Sequence, residues 1–214
     1  MERRLIMKHI LVALFLLLSL TATAWADYES AMAAYKQANY ETALKELRPL
    51  AEQGDAKAQN TLGWMYRQGQ GVPQDYSEAR RWFRKAADQG FAKAQINLGI
   101  LYEDGLGVKQ DGAEALSWYQ KAADQGDAWG QNNIGMLYKE GKGIPQNYSE
   151  ALKCYRKAAD QGLAKAQFQL GLIYEQGLGV QQDSTEASKW YQKAADQGFE
   201  EAKSKLAASK GKVQ

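Results

Sequence analysis

Histidine is almost missing from this chain: the one histidine among 214 residues is His9, inside a segment that reads as a removable leader. Beyond that segment no Ser-His-Asp triad, Cys-His pair or histidine-containing zinc site can be assembled. Cysteine is equally scarce. Cys154 stands alone, which excludes a disulfide framework, and no cysteine directly follows the N-terminal apolar run to accept a lipid. An excess of charge is also lacking, although the formal net charge is +2. Removing residues 1–26 takes away Glu2, Arg3, Arg4 and Lys8, which lowers the basic count from 27 to 24 and the acidic count from 25 to 24. A neutral chain has no broad basic field to draw nucleic acid or an anionic membrane.

The leader is legible from its order of parts. Arg3, Arg4 and Lys8 precede the apolar run Ile10 to Leu20, and Ala24-Trp25-Ala26 forms an A-x-A cleavage site before Asp27. The rival reading, an uncleaved anchor, needs a run of about 20 apolar residues. The run here is shorter, so the expectation is a signal peptide cleaved after Ala26 and a periplasmic or secreted protein without stable membrane insertion.

What the chain has in abundance is repetition. Four consecutive blocks of 36 residues, Ala56 to Phe91, Ala92 to Asp127, Ala128 to Leu163 and Ala164 to Phe199, run almost letter for letter. A period of that length marks a solenoid or array. Within a block, Ala58, Leu62, Met65 and Tyr66 fall on one helical face, and Ala79, Trp82, Phe83 and Ala86 form a second helical stripe. Two antiparallel helices per block follow. Asp75, Asp111, Asn147 and Asp183 each precede a Glu by three residues, the capping-box pattern in which that Glu bonds back to the cap. Gly69, Gly105, Gly141 and Gly177 end the first helices, and Gly90, Gly126, Gly162 and Gly198 end the second. Gly63, Gly99, Gly135 and Gly171 lie inside the first helix, where a glycine costs about 1 kcal/mol. They are expected to oppose small residues of the second helix and allow close approach. Trp82, Trp118 and Trp190, with Phe83, Tyr119, Tyr155 and Tyr191, are expected to fill the space between stacked pairs, since one pair cannot bury its own apolar face.

These blocks, with Ala-x-Ala-Gln-x-x-Leu-Gly-x-x-Tyr, Gly-x-Gly-Val, Glu-Ala and Trp-Tyr-x-Lys-Ala-Ala-Asp-Gln-Gly, resemble the Sel-one-like repeat (SLR) relatives of the tetratricopeptide repeat. The resemblance implies an all-α fold, an α-solenoid or right-handed superhelix of stacked antiparallel helix pairs. Asp27 to Asp55 reads as a shorter tetratricopeptide-like first unit, and residues 200–214 as a half-helix cap with a polar tail. Some secreted relatives carry a disulfide in every repeat; this chain departs from that pattern. Function is implied to be binding, in an adaptor that holds a protein or an extended peptide of unknown identity, with no cofactor and no catalytic or metal site.

Several local patterns suggest chemistry and lose it in context. Gly69-Gln-Gly71 and its equivalents precede a helix, but a helix rather than a strand comes before them and no third glycine follows. They read as turns. Ser209-Lys210-Gly211-Lys212 matches Ser-x-x-Lys of the penicillin-recognising enzymes without its companion motifs. It keeps open an alternative class, a cell-wall-related or β-lactam-binding enzyme. Cys154 occupies a slot filled by Trp82, Trp118 and Trp190 elsewhere and reads as a small hydrophobe rather than a reactive thiol. Arg80, Arg81, Arg84 and Lys85 cluster on one second helix, the pattern of a solvated outer face.

Residues that vary between repeats are those packing does not dictate. By the tetratricopeptide resemblance, positions 2, 5, 9 and 12 of each first helix face the concave side of the solenoid. The candidate partner-binding set there is Asn60, Trp64, Arg67, Ile96, Ile100, Trp129, Asn132, Met136, Phe168 and Leu172. It is apolar through the middle with charge at the edges, the form of an interaction surface. Packing against the adjacent repeat is the other reading of Ile100 and Leu172. Trp64 and Trp129 lie outside the tryptophan core slot, and tryptophan is enriched among interface anchors. Trp129 stands where the other repeats have lysine, in the same block that has Gly130 for alanine and Cys154 for tryptophan; drift in a tolerant repeat is the competing account.

Overall fold

The computed structural model describes residues 27–210, all of whose regular elements are helices. The expected signal peptide and the last four residues lie outside them. The chain divides into two compact units, Met1–Ala86 and Ala87–Gln214. In the first, α1 (27–36) and α2 (Tyr40–Glu52) precede α3 (Ala56–Gln68) and the start of α4 (Tyr76–Asp88). In the second, α5 (Ala92–Asp104), α6 (Gly112–Asp124), α7 (Ala128–Glu140), α8 (Tyr148–Asp160), α9 (Ala164–Gln176), α10 (Ser184–Asp196) and α11 (Glu200–Lys210) pack each against the next in chain order. This is the repeat-solenoid arrangement. No described helix is long and apolar enough to cross a membrane.

The glycines inside the first helices have a different partner from the one the sequence suggests. A Cβ on Gly63 would lie 2.7 Å from Phe83 Cδ1, and one on Gly99 would lie 2.5 Å from Tyr119 Cε1. Gly135 and Gly171 meet Tyr155 and Tyr191 in the same way. The missing side chain makes room for an aromatic ring, not for a small residue. Consequently the Phe/Tyr slot fills the interior of each pair. The tryptophan slot joins pairs: Trp82 packs with Leu47, Leu50 and Ala51 of α2, and Trp190 packs with Tyr155, Ala158 and Ala159 of α8. Trp82, Trp118 and Trp190 are 2%, 2% and 3% exposed, so these rings are core.

The second helices are capped as their sequence indicates, but the acidic residue three positions on has other work. Asp111 Oδ1 accepts from Ala113 N and Glu114 N, and Asp183 Oδ1 from Thr185 N and Glu186 N. The cap's own N–H is already donated to the first helix: Asp111 N to Tyr102 O, Asn147 N to Tyr138 O and Asp183 N to Tyr174 O, all within 2.8–2.9 Å. With that donor taken, Glu114 and Glu186 accept from Trp118 Nε1 and Trp190 Nε1 at 2.9 and 2.8 Å. The glutamate therefore pins the tryptophan that seals the joint to the neighbouring pair.

The Gly-x-Gly turns tie successive pairs. Their first glycine closes the helix in left-handed geometry, with φ of 67° to 69° at Gly69, Gly105, Gly141 and Gly177. The second touches the preceding second helix: a Cβ on Gly71 would lie 2.9 Å from Tyr40 O, and one on Gly143 would lie 2.7 Å from Gly112 N. Close backbone approach is what these glycines serve.

Candidate functional site

In the second unit the first helices α5, α7 and α9 present equivalent positions, and these can be followed from the helix start inward. Lys93, Trp129 and Lys165 share the second position of their repeats. Trp129 is 48% exposed, the exposed large hydrophobic among the described residues. Lys165 Nζ lies 5.8 Å from its ring centroid. Asp127 caps α7 by accepting from Trp129 N at 2.8 Å and Gly130 N at 3.1 Å. A Cβ on Gly130 would lie 2.9 Å from Ala123 N and 3.0 Å from Ala122 Cβ. The start of α7 thus sits directly on the end of α6 at Gly130.

One turn on, Ile96 and Phe168 are half-buried. Ile96 packs on the cluster of Ala115, Tyr119, Ile134 and Leu137, and Phe168 lies 5.5 Å from the Tyr191 ring and 5.2 Å from the Phe199 ring. Asn132, placed by the sequence on the accessible binding surface, requires correction: it is fully buried. Its Nδ2 donates to Asn133 Oδ1 at 3.2 Å and faces Met136 Sδ at 3.6 Å, while its Oδ1 has no donor. The close seating of α7 at Gly130 brings this position into the interior. Ile100, Met136 and Leu172 are half-buried, each packed on a core cluster.

In the first unit, Asn60, Trp64 and Arg67 are half-buried on α3. The Arg67 guanidinium lies over the Trp64 ring, 5.1 Å from its centroid.

The charged edge expected at position 12 of the first helices, Glu103, Lys139 and Glu175, is tied to the neighbouring helices by bonds that the sequence reading missed. Glu103 Oε2 accepts from Tyr119 OH at 2.6 Å, and Lys142 Nζ reaches Glu103 Oε1 at 3.5 Å and Asp104 Oδ1 at 2.6 Å. Glu175 Oε2 likewise accepts from Tyr191 OH at 2.9 Å and Lys205 Nζ at 2.6 Å. These bonds carry a carboxylate from one pair to a lysine of the next. The third repeat breaks the pattern. Its equivalent residue is Lys139, which donates instead to Gln169 Oε1 at 2.9 Å, and the buried Tyr155 OH is left without a partner. Burial accordingly pushes the Tyr155 phenol well above the usual tyrosine range, with a smaller contribution from Glu140. The signal in the sequence was the pairing of Glu103 with Tyr119 and of Glu175 with Tyr191, against Arg67 with Phe83.

Cys154 is half-buried, and burial raises its thiol pKa, the condition of an unreactive thiol. Among the described residues no group of three or more His, Cys, Asp or Glu could hold a metal ion.

Similarity to known proteins agrees with this geometry. The Sel1 repeat model matches residues 56–91, 92–127, 130–163 and 164–199. A Sel1 repeat protein from Oxalobacter formigenes is 41% identical, with a TM-score of 0.76 over 87% of this chain and 74% of that one. The protective antigen c5321 of uropathogenic Escherichia coli, which displays an SLR fold, is also 41% identical, with a TM-score of 0.78 over 86% of this chain. The match spans only 40% of that antigen's length. Immunity protein Pa5087 from Pseudomonas aeruginosa is 26% identical, with a TM-score of 0.58 over 84% of this chain and 68% of that one. No curated protein matches. With four matched repeats covering most of its length, the chain belongs to the Sel1 repeat family, whose members are helical scaffolds that generally mediate protein interactions without catalysing reactions.

Proposed function

We propose that this protein is a non-catalytic adaptor of the bacterial envelope that docks a protein or an extended peptide on the concave face of its first helices. The observation that carries the reading is Trp129, 48% exposed at the start of a first helix. A large rigid ring on an otherwise well-packed scaffold is the residue type that anchors interfaces. Around it, Ile96, Ile100, Met136, Phe168 and Leu172 offer half-buried apolar surface that a partner can cover. In the first unit Asn60, Trp64 and Arg67 supply contacts of their own.

Export is part of the proposal. The leader pattern of residues 1–26 supports it, and so does similarity to a protective antigen of uropathogenic Escherichia coli. N-terminal sequencing of the exported protein is expected to start at Asp27; a chain still beginning at Met1 would remove the envelope assignment. Docking is tested by placing a photoreactive amino acid at Lys165, beside Trp129, or at Lys157 on the exposed side of α8. Irradiation of intact bacteria is expected to give a discrete protein adduct from position 165 and none from 157; the reverse pattern would move the site to the other face. Nitrocefin should remain intact with the purified protein. Its turnover would put the chain among β-lactam-binding enzymes.

A further inference from the structure

Two lysines flank Trp129 along the row of first helices. Lys93 and Lys165 lie at the same repeat position on the helices either side of α7, and among the described residues neither is in an ion pair. Five other lysines of the unit have carboxylate partners, Lys142 with Asp104, Lys153 with Glu150, Lys189 with Glu186, Lys203 with Glu200 and Lys205 with Glu175, while Lys139 bonds Gln169. Asp127, the carboxylate nearest in sequence to Trp129, has its Oδ1 committed to two backbone N–H groups of α7. The helix starts add to the field without carrying the argument. α5 and α9 begin at Phe91 and Leu163 with no side-chain cap, so their first-turn N–H groups place partial positive charge on the same edge.

We propose that the segment docking on this edge is an extended acidic peptide, with an apolar side chain on the Trp129 ring and carboxylates to either side paired with Lys93 and Lys165. The inference rests on the reading of this face as the docking face and adds the chemistry of the partner. Packed helices lie about 8–10 Å apart, so the path from α5 across α7 to α9 is roughly 20 Å, about six extended residues. Acidic residues two or three positions on each side of the apolar anchor therefore reach the two lysines. Charge complementarity of this kind sets partner choice and encounter rate. The half-buried aliphatic floor of Ile96, Ile100 and Leu172 favours a peptide over an anionic polysaccharide, which has rings for the tryptophan but no side chains for the floor.

The test uses two fluorescein-labelled peptides, Glu-Glu-Glu-Leu-Glu-Glu-Glu and its lysine counterpart, titrated by fluorescence polarisation against the purified exported protein. The acidic peptide is expected to bind more tightly, with an affinity that falls as salt is added. Lys93→Glu combined with Lys165→Glu is expected to weaken it by roughly tenfold or more and to improve the lysine peptide, with the helical circular dichroism unchanged because neither side chain is in an ion pair and Lys165 meets only the exposed Trp129 ring, at 5.8 Å. Trp129→Ala is expected to weaken both peptides. Equal binding of the two peptides, undiminished acidic binding in the double variant, or no binding of either would overturn the inference. If the acidic preference is absent but Trp129→Ala still lowers binding, the docking face stands and only its partner chemistry fails. If Trp129→Ala changes nothing, the docking face itself fails. Polygalacturonate that binds through the two lysines where the acidic peptide does not would reassign the edge to a glycan.

Discussion

Single residues differ most in the third repeat, and the differences have measurable signs. Tyr119 and Tyr155 occupy equivalent, buried positions, yet only Tyr119 donates to a carboxylate. Tyr119→Phe removes the donor from the buried Glu103 Oε2 and is expected to cost about 1–3 kcal/mol. Tyr155→Phe removes a buried hydroxyl that has no partner and is expected to change stability by less than about 0.5 kcal/mol or to raise it. Phe83 already fills the same slot in the first repeat. Urea unfolding of both variants checks the pair; equal losses would mean that Tyr155 OH is satisfied after all. Asn132 gives a parallel case. Its Oδ1 is buried without a donor while its Nδ2 donates to Asn133 Oδ1, so replacing both amides, Asn132→Leu with Asn133→Leu, is expected to raise the unfolding temperature. A lowered one would show that these amides are held by something the packing alone does not supply.

At the scale of the helix pair, packing overrides propensity in a way that one substitution exposes. Gly99→Ala gains about 1 kcal/mol of helix propensity but drives a methyl group to 2.5 Å from the Tyr119 ring. Overpacking of this kind costs about 1–3 kcal/mol, so the variant is expected to be destabilised; a stabilised one would mean the ring moves freely. The tryptophans divide similarly. Trp118→Ala is expected to cost about 3–5 kcal/mol, while Trp129→Ala, at 48% exposure, is expected to cost well under half as much. Thermal unfolding separates them, and equal losses would contradict the assignment of the two rings. The pair itself was legible in the sequence because the 36-residue period, the cap residues and the closing glycines recur at fixed spacing. What each glycine and glutamate touches was not. Gly99 meets a ring rather than an alanine, and Glu114 turns to Trp118 because the cap N–H is already donated to Tyr102 O. Both outcomes depend on how the pairs dock, which spacing along one helix cannot reveal.

For the whole molecule, family membership follows from the four matched repeats, while the proposed choice of face depends on the residues that vary. Trp129 could be singled out from sequence because it breaks a lysine row. Asn132 could not be excluded, because Gly130, though visible as a break in the alanine row, does not by itself reveal how closely α7 settles onto α6. The most direct measurement of the docking face is titration calorimetry of the photo-captured partner against three forms of the protein: wild type, Trp129→Ala, and Lys153→Glu with Lys157→Glu on α8. The account predicts that Trp129→Ala loses about 2 kcal/mol of binding free energy, roughly thirtyfold in Kd, with its unfolding temperature little changed, while the α8 variant binds as wild type does. Undiminished affinity in Trp129→Ala, or a loss confined to the α8 variant, would contradict it.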